Sequence, residues 1–86
     1  MTLSLRPDVA TTDTDHGSVL LDERSGRYFQ LNTTGTHVLH ALLAGDDPEQ
    51  IATGLAEHHH LPAARARADV DAIIEQLRTA NLVVTR

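Results

Sequence analysis

Cysteine, lysine and tryptophan are all missing from these 86 residues, and only one tyrosine and one phenylalanine are present. Without thiols there is no disulfide staple and no thiol nucleophile, a usage that fits a reducing compartment. The seven Lys-or-Arg positions are all arginine and stand against twelve acids, for a net charge of −5. Nucleic-acid binding rests on cationic contacts to phosphate, so this balance argues against it. No apolar run approaches the ~20 residues of a membrane span. The opening MTLSLRPDVATTDTD has neither the basic start nor the apolar stretch of a signal peptide. The expectation is a soluble, cytoplasmic protein with one domain over residues 1–86, small enough to bury only about 60–65% of its unfolded surface.

The most informative stretch present is Val19 to Gly35, VLLDERSGRYFQLNTTG. Ser18 to Asp22 reads as a strand, Glu23-Arg24-Ser25-Gly26 as a turn, and Arg27 to Leu31 as the strand that pairs back. Asn32 ends that strand and can cap the helix that follows. Earlier, Leu3-Ser4-Leu5 alternates and Val9 to Thr12 is a weak strand, closed by the polar run Asp13-Thr14-Asp15-His16-Gly17. Helices follow over about Thr33 to Ala44, from Asp47-Pro48 to a frayed His58-His59-His60, and over about Ala63 to Ala80. The first carries the apolar stripe Val38, Leu39, Leu42 and Leu43, and the second Ile51, Ala52, Leu55 and Ala56. In the third, Val70, Ile73, Ile74 and Leu77 recur at helical spacing. Asp47, Pro48 and Gln50 form a capping box with proline at the first helical position. Asn81 reads as a left-handed cap, and Leu82-Val83-Val84 as a short closing strand. A small β element followed by three helices is an α+β, winged helix-turn-helix arrangement.

Chemistry is harder to find. The consecutive His58, His59 and His60 point in diverging directions and lack the spacing of zinc ligands, and His37 with His40 reads as surface. The serines have no nucleophile-elbow context, and no glycine-rich loop could cradle phosphate. Asp69, Asp71 and Glu75 on the third helix would repel a DNA backbone. No catalytic residue, metal ligand or cofactor site is therefore expected. What stands out is the aromatic pair Tyr28-Phe29. Adjacent strand residues face opposite sides, so only one ring can point fully inward, and the pattern leaves open which. An edge strand also offers unpaired backbone groups that an extended peptide can satisfy by adding a strand.

The run Ser25-Gly26-Arg27-Tyr28-Phe29-Gln30-Leu31-Asn32 with Thr34-Gly35 resembles the PqqD-like family, the RiPP recognition elements that bind leader peptides of ribosomally made natural products. Val19-Leu20-Leu21-Asp22, Leu5-Arg6-Pro7 and Asp69-Val70…Ile73-Ile74…Leu77…Asn81-Leu82-Val83 extend the likeness over nearly the whole chain. Within the family it is most similar to the stand-alone leader-binding proteins of lasso peptide clusters. The resemblance implies a three-stranded antiparallel β element packed on three helices. It implies that a leader segment docks antiparallel on the strand Arg27-Tyr28-Phe29-Gln30-Leu31 and lies against the third helix. Tyr28, Phe29, Val70, Ile73, Ile74 and Leu77 would form its pockets, with Asp69 and Arg27 as polar contacts at the rim. On that reading Tyr28 anchors the leader and is worth about 1–3 kcal/mol. The implied partners are the precursor's leader, a transglutaminase-like leader peptidase and an asparagine-synthetase-like cyclase, with no membrane, nucleic acid or chemistry of its own. The alternatives are a recognition element of another modified-peptide or quinone-cofactor pathway, or an acidic winged-helix DNA-binding regulator.

Overall fold

Turn chemistry organises the N-terminal half. In the computed structural model, which describes residues 3–85, strand β1 (Leu3–Leu5) leads into β2 (Val9–Thr14), β3 (Gly17–Asp22) and β4 (Arg27–Leu31). Met1, Thr2 and Arg86, included in the single-domain expectation, lie outside the described residues. β2, β3 and β4 form an antiparallel sheet in that order. The expected turn closes as read: Gly26 takes φ 75°, and the Asp22 carboxylate accepts from the Arg24 N–H and the Ser25 hydroxyl. β2 runs two residues further than expected, because Asp13 and Thr14 pair with Ser18 and Gly17. Its polar side chains are tolerated because almost all of β2 is exposed, so polarity there marked an edge strand and not a loop.

Three helices follow: α1 (Thr33–Leu43), α2 (Pro48–His59) and α3 (Ala63–Thr79). Asn32 caps α1 by accepting from the Gly35 N–H at 2.8 Å, which joins β4 directly to the helix. Asp47 and Gln50 complete the capping box of α2. The histidine end of α2 does not fray: His60 adopts a left-handed conformation and its N–H bonds the Ala56 carbonyl. Asn81 is left-handed as expected, and β5 (Val83–Thr85) then pairs antiparallel with β1 in a separate two-stranded ladder.

One apolar core joins these pieces. Leu20 and Leu31 from the sheet, Val38, Leu39 and Leu42 from α1, Ile51 and Leu55 from α2, and Leu82 beyond α3 are all buried in it. Val70, Ile74 and Leu77 belong to the same core, packed inward from α3. The Ser18 and Thr36 hydroxyls hydrogen-bond at 2.8 Å and stitch β3 to α1. The architecture is thus α+β, with a three-stranded antiparallel sheet followed by three helices, and β4 at the sheet's edge.

Candidate functional site

The free side of β4 can be worked out residue by residue. Backbone groups along a strand alternate between its two edges. The Glu23 N–H donates to the Asp8 carbonyl across the β2–β3 pair at 2.9 Å, so Leu21 and Val19 face β2 as well. Asp22, Leu20 and Ser18 then face β4, where the register sets them opposite Arg27, Phe29 and Leu31. The N–H and C=O of Tyr28 and Gln30 are left pointing off the sheet, two residues apart and unclaimed by β3. That spacing is what an added antiparallel strand requires.

Side chains divide the other way. Phe29 and Leu31 lie opposite Leu20 and Ser18 on the core side of the sheet; Leu31 is buried and Phe29 half-buried. Tyr28 lies on the outer face and is 69% exposed. This settles the aromatic pair: Phe29 points toward α3, and Tyr28 points away from it. Arg27 folds back over Phe29, its guanidinium carbon 5.9 Å from the ring centroid, within cation–π range.

A groove runs between β4 and α3. At its Leu31 end a depression of about 400 Å³ is lined by Gln30, Leu31 and Asn32 on one side and by Asp69, Ala72 and Ile73 on the other. At its Arg27 end a wider one of about 850 Å³ is lined by Arg27 and Phe29 against Ala72, Gln76 and Ala80. Ala72 and Gln76 border both, so the two form one channel, and β4 and α3 run in opposite directions along it. Beside Phe29, a crevice of about 50 Å³ reaches inward to Leu20, Leu77 and Leu82.

The sequence-derived set therefore separates into three groups. Arg27, Phe29, Gln30, Leu31, Asp69 and Ile73 come together around the groove. Val70, Ile74 and Leu77 are core residues because they occupy the innermost stripe of α3; only Leu77 reaches the crevice. Tyr28 meets the free edge through its backbone while its ring faces elsewhere. The sequence reading missed Ala72, Gln76 and Ala80. Asp69, Ala72, Ile73, Gln76 and Ala80 recur every three or four residues, one position out of phase with the core stripe, and that second periodicity was the available signal. Its alanines keep the channel open where larger side chains would fill it. Among the described residues no cluster of three His, Cys, Asp or Glu side chains could hold a metal ion, and no helix is long and apolar enough to cross a membrane.

The chain is similar to proteins of known family and fold. No curated protein matches the chain at a significant level. Two solved structures superpose on it over nearly their whole length. One is lasso peptide synthetase B1 complexed with the leader peptide, at 33% identity and TM-score 0.92, covering 99% of this chain and 100% of that one. The other is TbiB1 in complex with the TbiA(beta) leader peptide, at TM-score 0.85 over 100% of this chain and 98% of that one. Its 22% identity speaks for the fold alone. The profile of the family described as Coenzyme PQQ synthesis protein D matches residues 17–83, which include the edge strand and α3. By that match, the chain belongs to the PqqD family.

Proposed function

We propose that this protein is a non-catalytic adaptor that binds the leader segment of a ribosomally made precursor peptide in lasso peptide maturation. The leader adds to β4 as a fourth, antiparallel strand, bonding the outward backbone groups of Tyr28 and Gln30. Its inward side chains lie in the groove against α3. The carrying observation is this pairing of an open strand edge with a groove along the same strand. A 33%-identical structure in which lasso peptide synthetase B1 holds a leader peptide supports the same reading. The protein, one domain over residues 1–86 in the cytoplasm, presents the bound precursor to a transglutaminase-like leader peptidase, ahead of an asparagine-synthetase-like cyclase.

Fluorescence polarisation with a labelled synthetic leader of the precursor encoded beside this chain tests the reading. Saturable binding is expected, and none on the order of tens of micromolar would sink it. The family's description favours a second reading, in which the guest is the precursor of a quinone cofactor. Substituting that precursor in the same assay separates the two.

Side-chain roles follow from the faces of β4. Phe29→Ala should weaken leader binding by about 1–3 kcal/mol, the scale of an interface anchor. Tyr28→Ala, on the outer face, should change it by less than about 0.5 kcal/mol. Equal losses in the two variants, each folded by circular dichroism, would show that the leader wraps onto the outer face.

A further inference from the structure

The groove's charged groups are not equivalent. Arg27 rests over Phe29, and Glu75 accepts a 3.4 Å hydrogen bond from the Thr79 hydroxyl. Two residues from Asp69, the exposed Asp71 is held by Arg67 at 3.0 Å. Asp69 itself is half-buried in the wall of α3, near Ile73 and across the depression from Leu31 and Asn32. Among the described residues it makes no hydrogen bond and no ion pair. It lies well past the first turn of α3, where free backbone N–H groups would have served it.

An open groove leaves this carboxylate in water. A guest strand laid along the channel removes that water, and a desolvated carboxylate left without a donor is strongly unfavourable. A guest that brings a donor of its own is therefore favoured over one that does not. The register says where. In an antiparallel guest, the residues opposite Leu31 and Phe29 turn their side chains into the groove, and the one opposite Leu31 comes first in the guest's sequence. The residue opposite Phe29 meets Ala72 and the apolar crevice; the one opposite Leu31 meets Asp69.

Resting on the adaptor reading above, we propose that Asp69 is the specificity-determining residue of the groove. It selects guests whose side chain opposite Leu31, two residues before the apolar one opposite Phe29, ends in a hydrogen-bond donor. The same carboxylate fixes register, since a slip of one residue turns the donor to the outer face. It also rejects an acidic side chain at that position.

The test uses the whole protein and the labelled leader described above, together with leader variants in which each donor-bearing residue is changed singly to leucine or glutamate. Hydrogen bonds to charged groups predict that Asp69→Ala weakens the parent leader about tenfold or more. At one leader position, leucine should cost the wild-type protein a similar factor but cost Asp69→Ala, which has no acceptor left, less than about twofold. Glutamate at that position should bind Asp69→Lys better than it binds the wild type. Both protein variants should keep their melting temperature, because Asp69 has no partner to lose. Unchanged affinity in Asp69→Ala, or a loss with no coupling to any one leader position, overturns the assignment and leaves the adaptor reading standing. Failure of the wild-type protein to bind the parent leader overturns both.

Discussion

Proline at Gln30 should abolish or severely weaken leader binding in a domain that stays folded, while proline one residue earlier, at Phe29, should unfold it. The backbone of Phe29 faces Leu20 across the β3–β4 ladder, so Phe29→Pro deletes a bond of the sheet and drives its ring into the partner strand. It also removes a half-buried aromatic from the core's margin, for a combined cost of about 3 kcal/mol or more. The Gln30 N–H points off the sheet, so its loss costs the free protein little, and the preceding residue is already extended as a proline demands. A guest strand would meet a proline ring where its carbonyl needs a donor. The unsatisfied acceptor alone is worth about 1–3 kcal/mol, or ten- to a hundredfold in affinity, before any steric clash. Circular dichroism and the leader titration together check both halves. Normal binding by a folded Gln30→Pro protein would remove strand addition from the mechanism.

The largest stability effect expected outside the core is at Gly17. Its φ is +142°, and a Cβ built there falls 2.0 Å from the Leu31 carbonyl oxygen and 2.9 Å from the Asn32 carbonyl carbon. Both obstacles are backbone, at the junction where β4 hands over to α1, so neither can swing aside. Gly17→Ala should therefore destabilise the domain by about 3 kcal/mol or more. With a urea m-value near 1 kcal/mol/M for so small a protein, the midpoint should fall by about 3 M. Gly26 is the natural control: its φ of 75° is also positive, but a Cβ there meets nothing within 4 Å. Gly26→Ala should cost only about 1 kcal/mol, the left-handed penalty by itself. Equal costs would mean that the contact with Leu31 and Asn32 is relieved by movement of the hairpin.

The local rules of this chain were legible because each is written in neighbouring residues. Asn32, Asp47 with Gln50, Gly26 and Asn81 all do what their positions in the sequence announce. The β2 hairpin was only partly legible, because a strand exposed on both faces has no hydrophobic alternation to betray it. The groove was harder for a different reason. Val70, Ile74 and Leu77 share a helix with Asp69 and Ile73, and periodicity finds the apolar stripe without saying which neighbouring stripe lines a cleft. Deciding that takes the crossing of β4 and α3, a tertiary fact. The orientation of Tyr28 and Phe29 likewise depends on which face of the sheet the helices cover, and no spacing within the strand records it.

The ladder between β1 and β5 joins the two ends of the described chain. Every other strand pairing among the described residues closes through a short turn, but this one joins strands separated by the β2–β4 sheet and all three helices, and depends on those elements to bring it together. In folding terms it is a late event: the β2–β4 meander and the helices can assemble while the ends are still apart. Its buried residues, Leu3 and Val83, then close the core from outside. Opening of this latch would uncover Leu3 and Val83 without disturbing the sheet, and amide exchange is expected to report it there before it reaches the strand that carries the groove.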